Sequence, residues 1–166
     1  MPYSPILATL GYVLSTDGES VLMVHRNARE ADPAFGKFNG LGGKMEPGED
    51  VSTCMVRETL EEAGIEITGM QLRGTLSWPG FGAHGESWFG FVFLVHAWTG
   101  TPFEQNDEGS LQWVAIADVL GRKVPMWEGD YLWLPHLFAE DGTTFHGILP
   151  YSGFEPLTDQ WSVTRW

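Results

Sequence analysis

The segment from Arg57 to Gly64, RETLEEAG, places three glutamates on one face of a predicted helix. Glu58, Glu61 and Glu62 are spaced i, i+3 and i+4, so their carboxylates are neighbours on the helix surface. Like charges at this spacing cost about 0.2–0.5 kcal/mol per pair. Arg57 lies four residues before Glu61, but one guanidinium does not neutralise three carboxylates. The pattern therefore predicts that something outside the helix stabilises its acidic face.

The same helix has clear start and stop signals. Asp50 is a favourable N-cap, and Gly64 is a favourable residue just after the last turn. The apolar or small residues between them follow the i, i+3, i+4, i+7 spacing of a packed face: Val56, Thr59, Leu60 and Ala63. We expect this face to pack against the rest of the protein and the glutamates to lie opposite it.

Size and composition indicate one folded domain. The chain has 166 residues, and 43% of them are hydrophobic, which suffices for a core of its own. We expect a single domain spanning residues 1–166. Its one cysteine, Cys54, excludes an internal disulfide and fits a reducing compartment. Because residues 1–20 lack a basic region and a long apolar run, we expect a cytoplasmic protein that does not enter a membrane.

The charge of the chain restricts its partners. Twenty-two acidic residues against nine basic ones give a net charge of −13. Such a surface repels the backbone of DNA or RNA, so we expect no nucleic-acid polymer as a partner. A small anion would have to arrive neutralised, for example as a metal complex. The sequence is silent on protein partners.

The hydrophobic pattern predicts a chain that mixes strands and helices. Residues 5–15 and 19–25 are apolar and separated by turn residues at 16–18, which predicts a hairpin. Further strands are predicted at 71–78, 86–98, 110–116 and 143–151, and a further helix at 130–140. The segment ESWFGFVFLVHAW at 86–98 is apolar on both faces, so we expect it to be a central strand.

Two glycine-rich connections separate these elements. Residues 27–43 combine Gly, Pro and charge without a sustained period, which is typical of long functional connections. Residues 80–85, GFGAHG, fit a dinucleotide-binding pattern, but a strand rather than a helix follows them. We therefore expect a hairpin loop there. We expect His84 in this loop to be exposed to water. The other four histidines share no metal-ligand spacing and are interpreted as structural: His25, His96, His136 and His146.

The residues around the acidic helix form a longer motif. Gly43 is followed six positions later by Glu49, and then by Arg57-Glu58, Glu61-Glu62 and Gly64-Ile65. This resembles the Nudix box, G-x5-E-x7-R-E-U-x-E-E-x-G-U, in which U is a bulky aliphatic residue. Thr59 stands at the first U position, and its β-branched side chain keeps a methyl group on the packing face.

The resemblance implies a mixed α/β fold, the Nudix fold, in which a mixed β-sheet lies between α-helices. It also implies a metal site for Mg²⁺ or Mn²⁺, ions that prefer carboxylate and carbonyl oxygens. The expected metal ligands are Gly43, Glu58, Glu61, Glu62 and Glu108. The expected catalytic residues are Arg57, Glu58, Glu62 and Glu108. Which carboxylate acts as the general base stays open at this point.

Outside the box, the chain resembles the oxidised-purine nucleoside triphosphatases of the MutT-homologue group. Four segments between residues 6 and 151 carry the similarity: FNGLGGK at 38–44, GTPFEQNDE at 100–108, PMWEGDYLWLP at 125–135 and FHG at 145–147. The resemblance implies that Asn39 and Asp130 bind the edge of a purine and that Trp127 stacks on its plane. Those relatives carry two adjacent aspartates here, but Gly129 replaces the first of them, so we expect a narrowed or altered range of bases.

Three further residues are assigned to the substrate site with less support from the pattern. Lys44 follows the glycines of the box. Arg26 follows the second predicted strand, where relatives carry a lysine near the substrate, although a surface charge explains it equally well. Phe89 is placed in the pocket wall, although an aromatic residue in a central strand is more often part of the core.

These residues predict a Mg²⁺-dependent hydrolase that cleaves oxidised purine nucleoside triphosphates such as 8-oxo-dGTP to the monophosphate and pyrophosphate. Such an enzyme cleans the nucleotide pool and prevents DNA damage. Two alternatives remain. One is a hydrolase of ADP-ribose or dinucleoside polyphosphates, because Pro79 lies near the position of a proline in ADP-ribose hydrolases of this family. The other is a catalytically silent nucleotide-binding module, although such domains usually lose glutamates that are all present here.

Overall fold

Alternating apolar residues build one nine-stranded mixed β-sheet in the computed structural model, which describes residues 1–166. The strands are β1 (Ile6–Leu14), β2 (Ser20–His25), β3 (Phe38–Asn39), β4 (Leu41–Lys44), β5 (Glu66–Phe81), β6 (Glu86–Thr99), β7 (Ser110–Ala115), β8 (Phe145–Ile148), β9 (Tyr151–Ser152), β10 (Glu155–Pro156) and β11 (Ser162–Arg165). The helices are α1 (Val51–Ala63), α2 (Ile116–Leu120), α3 (Asp130–Leu137) and a 3₁₀ turn, Thr158–Gln160.

The sheet runs in the order β11-β8-β5-β6-β1-β2-β3, with β4 beside β1 and β7 beside β2. Strand β1 is parallel to β6, and β5 is parallel to β8, while the other neighbours are antiparallel. Strand β6 lies between β5 and β1, as its apolar faces predicted. Strands β9 and β10 form a separate hairpin.

Helices cover both faces of the sheet. Successive residues of β1 point to opposite sides, so Tyr12 and Val13 belong to different core clusters. The cluster around Tyr12 includes Trp133 of α3 and Val119 of α2, whereas the cluster around Val13 includes Ala63 of α1. This arrangement confirms the predicted mixed sheet between α-helices. None of the helices has the length and apolar character needed to traverse a bilayer.

Helix α1 has the predicted caps. The Asp50 side chain accepts a hydrogen bond from the Thr53 N–H at 2.8 Å, and Gly64 ends the helix with φ +70°, a left-handed conformation that favours glycine. The Asp50 contact satisfies a backbone N–H that the helix leaves unpaired at its start.

The prediction of the packed face of α1 is partly wrong. The buried residues of the helix are Cys54, Met55, Thr59 and Ala63. Leu60, predicted to be packed, is 52% exposed. Relative to the predicted orientation, the helix is rotated about its axis toward β4. Gly43 leaves room for the Glu58 side chain, and the Gly42 N–H donates to Glu62. These two glutamates therefore border the packed face instead of lying opposite it.

Several other boundaries differ from the prediction. The strand predicted at 71–78 is the longer β5, and the strand predicted at 143–151 is divided into β8 and β9 around Pro150. The connection at 27–43 contains β3 and part of β4. Residues 82–85 form the turn between β5 and β6, which confirms the predicted hairpin loop. The strands β10 and β11 were not predicted.

The rotated packing of α1 predicts unequal effects of two truncations. Met55→Ala should lower the free energy of unfolding by about 2–5 kcal/mol, because Met55 is fully buried. Leu60→Ala should lower it by less than about 0.5 kcal/mol, because its side chain is largely in water. Urea unfolding of both variants measures the difference. A larger loss in Leu60→Ala than in Met55→Ala would contradict this packing.

Candidate active site

A cavity of about 280 Å³ opens between the glycine strand β4, the ends of β5 and β6, and the start of α3. Its aromatic wall consists of Tyr12, Trp78, Phe81, Trp88, Trp127 and Tyr151. Its polar and charged lining consists of Arg26, Asn39, Glu62, Glu108 and Asp130. One concave site therefore has an aromatic part and an acidic part, as is common for sites that bind an organic group joined to a charged one.

Two glycines of β4 allow close packing beside the cavity, Gly43 against helix α1 and Gly42 against strand β1. A Cβ atom at Gly43 would lie 2.5 Å from Oε1 of Glu58, and one at Gly42 would lie 2.0 Å from the backbone oxygen of Thr9. Gly42 also has φ +151°, in the range that favours glycine. A side chain at Gly43 would push Glu58 and its helix away from β4, whereas a side chain at Gly42 would push β4 away from β1.

The acidic part of the cavity is under electrostatic strain. The Gly42 N–H donates to Oε2 of Glu62 at 3.0 Å. Burial, opposed by the Gly42 hydrogen bond and assisted by the charges of Glu108 and Glu58, raises the pKa of Glu62 to about 8. Arg26 lies 3.3 Å from Glu108 and offsets part of this repulsion. A carboxylate that is hard to ionise beside other carboxylates is a suitable place for a cation.

Arg57 connects the helix to the loop that precedes it. Its guanidinium pairs with Glu49, lies 2.9 Å from Glu58 and 3.3 Å from Glu61, and donates to the backbone oxygen of Lys44 at 3.2 Å. The hydrogen bond from Arg57 holds the pKa of Glu49 at about 2. Arg57 lies outside the cavity lining, so its contacts orient Glu58 and β4 rather than reach into the cavity.

The predicted metal ligands are only partly assembled. Glu62, Glu108 and Gly43 line the cavity, and Glu58 lies against Gly43. Glu61 is 61% exposed and faces Arg57. No three acidic, histidine or cysteine side chains are close enough together to form a metal cluster. The donor set still fits a hard divalent cation, because it consists of carboxylates whose mutual repulsion a cation would relieve.

The aromatic part holds one carboxylate at the start of α3. Oδ1 of Asp130 accepts a hydrogen bond from the Trp133 indole N–H at 3.2 Å, and burial raises the pKa of Asp130 to about 7. Trp127 is stacked on Phe154 with ring centroids 5.7 Å apart, and it meets the edge of Phe81 at the same distance. Both aromatic contacts fix the orientation of the Trp127 ring at the cavity.

Most predicted substrate residues meet in this cavity, but two do not. Arg26, Asn39, Trp127 and Asp130 line it. Phe89 does not, which corrects its placement in the pocket wall. Side chains alternate along β6, so Trp88 and Gly90 face the cavity while Phe89 packs against Phe91, 5.4 Å away. Lys44 also lies outside the lining, with Nζ 5.2 Å from the Trp88 ring.

Sequence reasoning missed most of the aromatic wall. Trp88 could have been predicted from the alternation of side chains along β6, if it had been known which alternate residues face the cavity. Tyr12 and Trp78 sit in strands whose apolar residues all look like core. Tyr151 had no local signal, because it reaches the cavity only through the pairing of distant segments.

The fold and this site define a family. The NUDIX domain model matches residues 5–137, and the chain belongs to the Nudix family of hydrolases, which use divalent metal ions. It is 34% identical over 142 residues to "Uncharacterized Nudix hydrolase YvcI" of Bacillus subtilis, covering 84% of each chain. It is 30% identical over 127 residues to the oxidized purine nucleoside triphosphate hydrolase of Danio rerio, covering 75% of this chain and 76% of the relative.

The fold is also similar to a solved structure. The crystal structure of the mutator MutT protein from Bacillus halodurans superposes with a TM-score of 0.78 and 28% identity, covering 96% of this chain and 97% of that one. These similarities confirm the predicted family and fold, and the chain is therefore an enzyme of the Nudix hydrolase class.

The raised pKa of Glu62 predicts how stability depends on pH without metal. With EDTA present, the free energy of unfolding should fall between about pH 5 and pH 8, because the folded protein keeps a proton on Glu62 that the unfolded chain releases at lower pH. Glu62→Gln should remove this part of the slope, and Glu61→Gln, at an exposed carboxylate, should keep it. Urea unfolding across this range measures it. Equal slopes in wild type and Glu62→Gln would contradict the assigned burial.

Proposed function

We propose that this enzyme is a divalent-metal-dependent pyrophosphohydrolase that converts oxidised purine nucleoside triphosphates, such as 8-oxo-dGTP, to the monophosphate and pyrophosphate. The observation that carries the proposal is the joining of two chemistries in one cavity. The aromatic wall, the polar groups of Asn39 and Asp130 and the carboxylates of Glu62 and Glu108 all line the same cavity. A purine nucleotide has a matching division into an aromatic base and a charged phosphate chain. Such an activity would remove damaged precursors from the nucleotide pool before they enter DNA.

The metal would be Mg²⁺ or Mn²⁺. We propose that it is held by three carboxylates and one backbone oxygen: those of Glu58, Glu62, Glu108 and Gly43. Glu61, the remaining predicted ligand, lies at the exposed edge of the same helix face. When bound, such a cation neutralises phosphate oxygens and makes a bound water more acidic. It also fits the net charge of −13, since free phosphates would otherwise meet a repelling surface.

Residues of the chain itself position the phosphates and the proton acceptor. Arg26 places a guanidinium in the cavity beside Glu108, where it can bind a phosphate oxygen. Arg57 holds Glu58 in place and does not touch the substrate. One oxygen of Glu62 accepts the Gly42 N–H inside the cavity, and we propose that this carboxylate orients the attacking water and accepts its proton.

The base would lie in the aromatic part. The Asn39 amide offers both a donor and acceptors, and the free oxygen of Asp130 offers an acceptor when ionised. The ring of Trp127 supplies a plane on which a purine can stack. The Danio rerio relative is an oxidized purine nucleoside triphosphate hydrolase, which supports the same substrate class.

Hydrolysis of ADP-ribose or dinucleoside polyphosphates has less support. Pro79, the residue that suggested it, lies in β5 but does not line the cavity, unlike its neighbours Trp78 and Phe81. A silent binding module is also less well supported, because every acidic residue of the box is present and Glu62 lines the cavity.

The proposed role of Glu62 is tested by removing its charge. Glu62→Gln should leave the circular dichroism spectrum unchanged and reduce kcat for 8-oxo-dGTP by about 10²-fold or more, the scale for losing a group that acts on the transition state. The control is Glu66→Gln, an exposed glutamate of β5 that should keep full activity. Normal turnover in Glu62→Gln would exclude this residue from the chemistry. No turnover of any nucleotide by the wild type would favour the binding module.

The base pocket is tested by selectivity and by pH. Above pH 7, ionised Asp130 accepts from the N–H groups of a guanine-type base; below pH 7, its protonated form favours adenine-type edges. The ratio of kcat/KM for 8-oxo-dGTP to that for 2-hydroxy-dATP should therefore rise with pH through about 7. Asp130→Asn should abolish this rise, and Asn39→Ala should lower selection of 8-oxo-dGTP over dGTP.

The same assays include ADP-ribose and diadenosine polyphosphates, with the products identified. A higher kcat/KM for either of these than for 8-oxo-dGTP would replace the proposed substrate class. A pH-independent ratio in the wild type would remove Asp130 from base selection but leave the hydrolase chemistry intact.

A further inference from the structure

Tyr151 brings a hydroxyl group into the aromatic part of the cavity. It lies in the short strand β9 and lines the cavity together with Asp130. Its side chain is nearly buried, since the residue is only 7% exposed. The hydroxyl makes no hydrogen bond to any other residue of the chain. Its oxygen is not one of the buried unpaired polar atoms, so it faces the open cavity. A hydroxyl that faces a cavity and has no partner in the protein is suited to a ligand that enters.

The position of this hydroxyl depends on Gly129. A Cβ atom at Gly129 would lie 2.3 Å from the Tyr151 hydroxyl oxygen, which no real contact allows. The backbone of Gly129 has φ −66°, so glycine is not needed there for its conformation. Glycine is needed for space, and the space it leaves is filled by the Tyr151 hydroxyl.

The Tyr151 ring is held in this position from two sides. Phe81 meets it edge-on, with ring centroids 5.0 Å apart. The backbone of Tyr151 passes so close to Gly80 that a Cβ there would lie 2.5 Å from the Tyr151 carbonyl oxygen. Pairing with Pro156 in the β9–β10 hairpin fixes the strand. The hydroxyl is therefore preorganised rather than free to swing away.

We propose that Tyr151 is a specificity-determining residue, whose hydroxyl donates a hydrogen bond to a carbonyl oxygen on the purine edge beside Asp130. This inference rests on the proposed function. Gly129 leaves space beside Asp130, and the Tyr151 hydroxyl occupies that space. A carboxylate only accepts hydrogen bonds when ionised, whereas a hydroxyl also donates.

Electrostatics keep the hydroxyl in its donating form. Burial raises the pKa of Tyr151, and the charge of Asp130 raises it further. The pocket thus offers one oxygen that titrates near neutrality and one that stays protonated. This pair suits a 6-oxo purine, whose edge carries a carbonyl acceptor next to N–H donors, better than a 6-amino purine.

The test is the substrate ratio of Tyr151→Phe. The ratio of kcat/KM for 8-oxo-dGTP, a 6-oxo purine, to that for 2-hydroxy-dATP, a 6-amino purine, should fall about 3- to 10-fold, the size expected for one hydrogen bond. The loss should come from a higher KM for 8-oxo-dGTP with kcat retained, because the base lies away from the reacting phosphates. Tyr131→Phe is the matched control, because its hydroxyl bonds the Val124 backbone oxygen at 2.7 Å and does not line the cavity.

A second variant tests the fit between the two residues. Gly129→Ala should push the Tyr151 hydroxyl aside and lower the same ratio, whereas in the Tyr151→Phe background it should change the ratio little. Thermal unfolding shows which variants remain folded, and the kcat/KM ratios are compared only among those. If Gly129→Ala does not fold, Tyr151→Phe alone decides the test, because it removes an atom instead of adding one.

The outcomes separate this inference from the proposed function. If the wild type hydrolyses 8-oxo-dGTP and Tyr151→Phe has the wild-type ratio, Tyr151 has no role in specificity and only this inference is overturned. If Tyr151→Phe loses activity equally on both substrates, its role is structural and the inference is again overturned. If the wild type hydrolyses neither nucleotide, the proposed function itself fails.

Discussion

The close contact between helix α1 and the glycine strand β4 is the constraint on which the rest of the site depends. Because Gly43 has no side chain, Glu58 lies directly against the strand, and the backbone N–H of Gly42 reaches Glu62. Arg57 then ties the helix to the strand end through the Lys44 carbonyl. Carboxylates that water would otherwise surround are brought into a partly buried position, where their repulsion makes cation binding favourable.

The aromatic and acidic parts of the cavity are held in register by the sheet. Strand β1 pairs with β4 on one side and with β6 on the other, so the glycines next to Glu58 and the start of β6 that carries Trp88 share one rigid support. Helix α3 adds Asp130 to the lining of the cavity. The spacing between Trp88 and the glycines of β4 is therefore set by strand pairing, which makes this side of the cavity rigid.

The sequence predicted what local chemistry determines and missed what distant packing determines. The caps of α1, the strands β1, β2 and β6, and the glycine-to-glutamate motif all follow from neighbouring residues. The sequence did not predict which face of helix α1 is buried. Gly43 leaves space for Glu58 beside the strand, so the helix turns that edge inward and Leu60 is exposed to water. Phe89 was misplaced for a similar reason: an all-apolar strand gives no sign of which alternate residues face a cavity. Tyr151 could not be found, since only tertiary pairing brings it beside Gly129.

The C-terminal hairpin lies outside the segment that the family model matches, which ends at residue 137. Yet this hairpin contributes Tyr151 to the cavity and Phe154 to the stack on Trp127. Part of the aromatic wall thus comes from a different stretch of the chain than the acidic helix. Changes in this hairpin can reshape the aromatic part of the cavity without touching the acidic helix, so proteins that share the box need not share a substrate.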